Sequence, residues 1–378
     1  MLFLYNIVVQ ITIPILQFIA IFNPKIKLFV DGRKNVFQIL EEQIKPQDKT
    51  FWFHAASLGE YEQGIPIIES IKKDFPSHKI VITFFSPSGF EVRKNNTLAD
   101  VTVYLPLDTK TNAKKFIEIV HPEKVFFIKY EYWLNYLTEL KDHNTPTYLI
   151  SGIFRKDQVF FKWYGGFYRK ALETFTYFFV QNEDSKTLLQ RLGKTNVIIS
   201  GDTRFDRVAA ILEKDNTLKF ISDFKNDTLT IVVGSSWPKD EDLLLDFINN
   251  NAQNVKFIIA PHNIKKEQIE ELKNKISKKT VLFSEMESKD LSAYDVFIID
   301  TIGILTKIYS YVDIAYVGGG FTKSGVHNLL EPATFGVPIV IGPNYARFAE
   351  ATALVKIGGC TSITTTTELN MVLKNLII

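Results

Sequence analysis

Glu60 closes the run His54-Ala55-Ala56-Ser57-Leu58-Gly59-Glu60, which follows the apolar stretch Phe51-Trp52-Phe53. Alanine, serine and glycine let a backbone turn tightly and come close to a ligand. A helix that starts at this turn directs its free N–H groups outward, with Glu60 in its first turn. A carboxylate there either complements the helix dipole or acts as a general base toward a hydroxyl, a role worth ~10²–10⁴ in rate. Glutamate is ionised at neutral pH, so the second role needs no metal ion. Ser86-Pro87-Ser88-Gly89 forms a second, hydroxyl-rich turn. It reads as an N-cap or as a substrate contact, with Ser57 and Gly59 beside it. Glu131 stands among aromatic residues in Ile128-Lys129-Tyr130-Glu131-Tyr132-Trp133, again at a strand-to-helix corner. It is either half of a buried ion pair or part of a site. Arg204, in Ser200-Gly201-Asp202-Thr203-Arg204-Phe205-Asp206, has two readings as well. It pairs with Asp202 or Asp206, for ~0–1 kcal/mol, or its planar guanidinium neutralises a departing phosphate.

The second half carries a denser signal. Tyr316-Val317-Gly318-Gly319-Gly320-Phe321 runs a strand into three glycines, and Gly325-Val326-His327-Asn328-Leu329-Leu330-Glu331-Pro332-Ala333 follows, with a helix expected from about Asn328. Glycines admit a close backbone approach, and a helix N-terminus offers N–H groups to a phosphate. Glu331 in the first helical turn can accept hydrogen bonds from ribose hydroxyls. The spacing is neither that of a phosphate-binding P-loop nor Gly-x-Gly-x-x-Gly. Three more strand ends carry polar or turn residues: Gly234-Ser235-Ser236-Trp237, Ala260-Pro261-His262 and Asp300-Thr301-Ile302-Gly303.

Alternating strands and helices must position these residues. The pattern predicts strands at residues 49–55, 79–84, 101–105, 125–128, 146–151 and 176–181, with helices between them, including 112–120 and 132–142. A second alternating series has strands at 228–234, 255–260, 280–283, 296–300, 314–317 and 338–341, after a looser charged stretch at 206–227. Such alternation means α/β domains with parallel sheets, here two in tandem, joined near residue 215 with a cleft between them. Ligands in such sheets bind beyond the carboxyl ends of the strands, where every motif above falls.

The net charge of +2 gives no basic excess for a nucleic-acid partner. The single cysteine, Cys360, permits no intrachain disulfide and reads as a small buried residue. No Cys/His cluster has zinc spacing. Residues 1–22 hold no charged side chain, while Lys25, Lys27, Arg33 and Lys34 follow. Lacking a basic start and a small-residue cleavage site, this is no secretory signal. Asn6, Gln10, Pro14 and Gln17 form one polar stripe on a helix. The helix therefore spans a membrane, lies in its interface, or packs on its own domain. The basic residues after it keep the following domain on the cytoplasmic side. The aromatic and cationic run at residues 160–170 suits a headgroup surface, or a half-buried helix with snorkelling Lys and Arg.

Seven ordered runs, at residues 54–60, 86–89, 131–133, 201–206, 261–262, 300–303 and 318–332, together resemble the bacterial 3-deoxy-D-manno-octulosonic acid (Kdo) transferases. The resemblance implies a GT-B glycosyltransferase fold, with two Rossmann-like domains facing across a cleft. The expected divisions are a membrane-associating segment at 1–22, an acceptor-binding domain at 23–210 and a CMP-sugar-binding domain at 211–378, where a final helix crossing back to the first domain is missing. It implies inverting transfer of Kdo from CMP-Kdo to an anionic lipid A precursor at the inner membrane, with no cofactor beyond the co-substrate. By analogy Glu60 is the base, and Glu131 and Arg204 stabilise the transition state. Pro261, His262, Ile302, Gly303, Ile304, Gly319, Gly320, Asn328, Leu329, Leu330 and Glu331 contact CMP. Relatives often carry Lys at the position of Arg204, Glu at Ile304 and Asn at Asp202. Two other classes fit the same runs: a different GT-B transferase or sugar-nucleotide epimerase, and a non-catalytic protein binding lipid or nucleotide at a membrane surface.

Overall fold

The computed structural model describes residues 2–377; Met1 and Ile378, the outer ends of the expected first and last segments, lie outside the described residues. The chain divides into two compact units between Arg207 and Val208. The stretch at residues 206–227, expected to be loose, is largely helical, with helices Thr203–Ala209 and Lys219–Lys225. Among its charges, Ile221 and Phe224 lie three residues apart on one helical face, and their burial in the core of the second unit orders it.

The first unit has seven strands: β1 Thr50–Ala55, β2 Lys79–Phe84, β3 Val101–Tyr104, β4 Pro122–Ile128, β5 Thr147–Gly152, β6 Tyr177–Val180 and β7 Val197–Ile199. All pair in parallel, in the order β3-β2-β1-β4-β5-β6-β7. Both faces are covered, which is why the strands read as near-continuous apolar runs. Along β1, Phe51, Phe53 and Ala55 enter one core and Trp52 the other, as the two-residue period of a strand requires. Phe53 stacks on Phe126 of β4 at 4.6 Å. Each such ring contributes ~1.5–3 kcal/mol by burial.

The amino-terminal helix Leu2–Ala20 buries none of its residues fully. It is fastened at its start: the Tyr5 hydroxyl donates to Asp108 Oδ2 at 2.6 Å, and Asn135 Nδ2 donates to Asn6 Oδ1 at 2.8 Å. Of the polar stripe, Asn6 thus faces the unit, whereas Gln10, Pro14 and Gln17 are exposed. The chain then turns into helix Pro24–Asp31, whose N-cap is Asn23. Phe29 is buried there, and Arg33 donates to the carbonyl oxygens of Leu105, Phe29 and Phe85 at 2.9, 2.7 and 2.7 Å.

The second unit repeats the plan with β8 Leu229–Ser236, β9 Val255–Pro261, β10 Thr280–Leu282, β11 Val296–Ile298, β12 Ile314–Val317, β13 Ile339–Ile341 and β14 Cys360–Ser362. The strands are again parallel, in the order β10-β11-β9-β8-β12-β13-β14. Cys360 is buried in β14, and burial pushes its thiol up to about 12. The last helix, Thr366–Ile377, sends Leu369 and Leu373 into the core of this unit, and Asn370 donates to Asp246 on the neighbouring helix Pro238–Asn250.

In the first sheet the order reverses between β1 and β4; in the second, where β10 and β11 are exchanged at one edge, β8 and β12 stand at the matching point. Connections leave such a point in opposite directions and open a crevice at the strand ends.

Candidate active site

In the first unit the loops after β1 and β4 flank the reversal and bring Glu60 and Glu131 to one crevice. Helix Leu58–Asp74 follows β1 directly, with Ser57 in extended backbone as its N-cap. Glu60 reaches back so that its Oε2 accepts the Ser57 N–H at 3.0 Å and lies 3.4 Å from the Ser57 hydroxyl. This is the capping reading of the motif, and it also orients the carboxylate. Burial, and then the charge of Glu131, push the Glu60 carboxyl above the usual carboxylate range, against the opposing pull of the Ser57 N–H and His54. Gly59, beside it, has open space where a side chain would stand.

The second turn lies alongside: Phe85 and Ser86 donate to the carbonyl oxygens of Ala55 and Ala56 at 3.3 and 2.7 Å. Ser86 caps helix Pro87–Arg93, and its hydroxyl lies 2.9 Å from that of Ser88. A Cβ on Gly89 would meet the Phe84 ring at 2.4 Å and the Leu58 backbone nitrogen at 3.0 Å. That glycine lets the two turns touch, a packing role.

Glu131 sits in the irregular segment ahead of helix Leu134–Asp142, which starts two residues later than expected. Its Oε2 lies 3.3 Å from His54 Nε2, and the Trp133 indole N–H donates to that same nitrogen at 3.0 Å. Asp108 supports the segment from below, accepting the N–H groups of Asn135 and Tyr136 at 3.2 and 3.1 Å. Arg204 is held by its neighbour: Nε and Nη2 donate to Asp202 Oδ2 at 2.8 and 2.6 Å. The Asp202 pair read from sequence is therefore formed. Nearby, the buried Glu62 joins Arg93 and Arg207.

In the second unit the loops after β8 and β12 flank the reversal. Asp240, in the first turn of helix Pro238–Asn250, is completely buried. Its Oδ1 accepts the Tyr316 hydroxyl at 2.8 Å, and its Oδ2 accepts the N–H groups of Trp237 and Gly319 at 3.0 and 2.9 Å. The Trp237 indole N–H donates to His327 Nε2 at 2.9 Å, with the two rings parallel to within 5°. His262 stacks on both, at 4.7 Å from Trp237 and 4.4 Å from His327. Burial, and then the nearness of His262, push the His327 imidazole below the usual histidine value. The three rings form one platform, a surface suited to a flat aromatic base or an anion.

The glycines carry a packing role beside their reading in the sequence. A Cβ on Gly318 would strike the Ser235 carbonyl oxygen at 2.4 Å, and one on Gly320 the Gly342 backbone at 2.6 Å. Their missing side chains make room for the protein's own neighbouring loops. Gly319, with φ of 90°, needs the left-handed region. The helix expected from Asn328 starts at Leu330 and runs only to Thr334. Leu329 and Leu330 are buried, which leaves only their backbone for a ligand. Asn328 is exposed, and its Nδ2 donates to Glu331 Oε1 at 2.9 Å, while the Thr306 hydroxyl donates to Oε2 at 2.7 Å. Pro261 ends β9; Ile302 is 83% exposed, beside Gly303 in the loop that leads to Ile304. Among the described residues no group of three His, Cys, Asp or Glu side chains is placed to hold a metal ion.

Sequence reading missed His54 and Thr83 below Glu131, and Asp240 and Trp237 below the glycines. Only Asp240 left a local sign, in Trp237-Pro238-Lys239-Asp240: proline at the first helical position and an acid two residues on.

The comparisons agree with one another. The family model for 3-deoxy-D-manno-octulosonic-acid transferase (kdotransferase) matches residues 32–207. The 3-deoxy-D-manno-octulosonic acid transferase of Chlamydophila psittaci is 30% identical over 355 residues, covering 88% of this chain and 80% of that protein. The Aquifex aeolicus protein of the same name is 28% identical over 309 residues, covering 80% and 78%. Among solved structures, the UDP-GlcNAc 2-epimerase of Neisseria meningitidis has a TM-score of 0.60 at 15% identity, over 87% of this chain and 91% of that one. Acinetobacter baumannii MurG has a TM-score of 0.53 at 11% identity, over 88% and 91%. At these identities the structural likeness speaks for the GT-B fold alone.

Proposed function

Because the chain belongs to the 3-deoxy-D-manno-octulosonic acid transferase family, we propose that it transfers Kdo from CMP-Kdo to a lipid A precursor by a single inverting displacement. Glu60 takes the proton from the acceptor hydroxyl as the sugar C2 develops positive charge and CMP departs. The observation that carries this reading is Glu60 itself: oriented by Ser57, beside the open space at Gly59, and raised in basicity by burial and by Glu131. Glu131 and Arg204 stabilise charge in the transition state. The platform of Trp237, His262 and His327, with the N–H groups near Asn328 and the Glu331 carboxylate, holds the cytidine nucleotide. The reaction proceeds without a metal ion, so a chelator leaves the rate unchanged.

The acceptor is met at the inner membrane, on its cytoplasmic side. Helix Leu2–Ala20 is long and apolar enough to span. Its start is tied to Asp108 and Asn135, and the chain beyond its end is tied through Arg33 to Leu105 and Phe85, all in one unit. With its start held to this unit, the helix lies along the surface, with Phe3, Leu4, Val8, Ile11, Ile15 and Phe18 outward. Trp163, 92% exposed, and Tyr164 extend this surface. A cavity of about 680 Å³ beside it is lined by Leu134, Phe167 and Ala171 together with Lys170 and the Lys141–Glu173 ion pair, an apolar space with a cation for an acylated phosphate-bearing acceptor.

The test is transfer of Kdo to a tetraacylated lipid A precursor, with CMP-Kdo generated in situ. Wild type forms product, and Glu60→Gln loses ~10²–10⁴ in turnover while still binding CMP. Equal product from both removes Glu60 from the mechanism; none from either, with CMP bound, removes Kdo as the sugar.

A further inference from the structure

His54 is the member of the first unit's site that the transfer chemistry leaves without a task. Its side chain is wholly buried near the end of β1 and is engaged on both edges. The Trp52 indole N–H, which only donates, gives to Thr83 Oγ1 at 2.8 Å, and the Thr83 hydroxyl proton is directed to the Phe53 carbonyl oxygen at 3.4 Å. His54 Nδ1 lies 2.8 Å from that same Oγ1; with Nε2 accepting from Trp133, a neutral ring carries its proton on Nδ1 and gives it to Oγ1. On the other edge the Trp133 N–H gives to Nε2 at 3.0 Å and occupies its lone pair. Glu131 Oε2 stands 3.3 Å from the same Nε2. A bare carboxylate against a ring lone pair repels. The contact becomes attractive with one proton between the two, carried by the carboxyl or by the ring. When the ring takes it, the Trp133 N–H faces another N–H and its bond is released.

We propose that His54 is a positioning residue, which holds Glu131 through one shared proton and thereby sets the charge that Glu131 presents to Glu60. The inference rests on the Kdo-transfer reading above. The titratable groups around the imidazole are Glu131, from the segment after β4, and Glu60, from the helix after β1. Trp52, Thr83, Phe127 and Trp133, which also pack against it, are neutral. Burial and then Glu131 raise the Glu60 carboxyl, while His54 is among the influences that lower it, so the pair acts on Glu60 from both directions.

Two substitutions separate the edges of the ring. Asparagine places an amide near the position of Nδ1, so His54→Asn keeps the Thr83 bond and loses Glu131. Glutamine reaches the position of Nε2, so His54→Gln keeps the Glu131 contact but cannot titrate. His54→Asn lowers kcat for Kdo transfer roughly ten- to hundredfold, with the KM for CMP-Kdo unchanged. His54→Gln recovers most of kcat, with the acid limb of its pH profile displaced from that of the wild type. Wild-type kcat and an unmoved acid limb in both variants overturn the proposal. Nitrogen-15 NMR of the His54 ring in the full chain reads the pair without any sugar. The expected result is a proton held on Nδ1 and an Nε2 signal that changes on Glu131→Gln; a neutral ring whose proton sits on Nε2 instead of Nδ1, or an Nε2 signal blind to Glu131→Gln, overturns the proposal even if the His54 variants fail to fold. A coupled Nε2 signal in a protein that transfers no Kdo upholds the pair and discards the transfer reading instead.

Discussion

The two units reverse their strand order at equivalent places, yet the crevices that result are furnished in opposite ways. Around Asp240 every buried polar group is matched: a tyrosine hydroxyl and two backbone N–H groups fill its two oxygens, and the glycines beside it are pressed against backbone. Around Glu60 and Glu131 the matching is deliberately short, with two carboxylates and one imidazole nitrogen competing for few protons and open space at Gly59. Parallel topology supplies the crevice in both cases; what fills it sets how fully its polar groups are satisfied. A satisfied buried carboxylate rigidifies, whereas an under-supplied pair stores reactivity.

The sharpest way to break this contrast is to remove one carboxylate from each crevice. Glu60→Gln costs ~10²–10⁴ in turnover and leaves chemical denaturation almost unmoved, because only a half-buried cap is altered. Asp240→Ala does the reverse: three donors lose their acceptor, costing roughly 3 kcal/mol or more, read as an earlier urea transition, and CMP affinity falls with the loop. If Asp240→Ala left stability intact, the satisfied crevice would not be the rigid one.

Glu131→Gln sharpens the contrast through pH. The like charge of Glu131 helps to hold the Glu60 carboxyl high, so its removal lowers that carboxyl. A general base works when deprotonated, so the acid limb of kcat moves to lower pH in Glu131→Gln. A limb that stays or moves upward contradicts the coupling. In the second unit, burial and His262 hold the His327 ring low and therefore neutral. A bound phosphate favours the charged ring, so CMP binding takes up protons and tightens as pH falls. Calorimetry in buffers of different ionisation enthalpy measures this; zero uptake contradicts it.

The smallest expected effect lies outside both crevices. Tyr5→Phe deletes a hydrogen bond to the buried Asp108 carboxylate, worth about 1–2 kcal/mol. Hydrogen exchange in helix Leu2–Ala20 rises in this variant, while turnover in detergent is kept.

Sequence made the frame legible where local pattern suffices. Apolar strands ending in small residues gave β1 and the helix to Asp74, with Glu60 in the first turn. It failed where the deciding partner is distant along the chain. Gly320 faces Gly342, and Gly318 faces Ser235 and Ser236 from far along the chain, so the loop packing of these glycines was not legible beside their ligand reading. Strand β14 has three residues, too few to show a period. His54 was visible as a letter in a motif; its task depends on Thr83, Glu131 and Trp133, which only the β1–β2 and β1–β4 pairings bring together.

The tie at the start of the first helix carries one more consequence. In the interfacial placement proposed above, the protein would meet a lipid substrate by diffusing in two dimensions, its crevice at a constant height above the phosphate plane. Its rate then follows the mole fraction of acceptor within the surface rather than the amount per volume of solution, and diluting the acceptor with inert lipid slows it even when the total quantity is unchanged. In that placement the Tyr5 and Arg33 contacts, far from any reacting atom, would govern which concentration the enzyme senses.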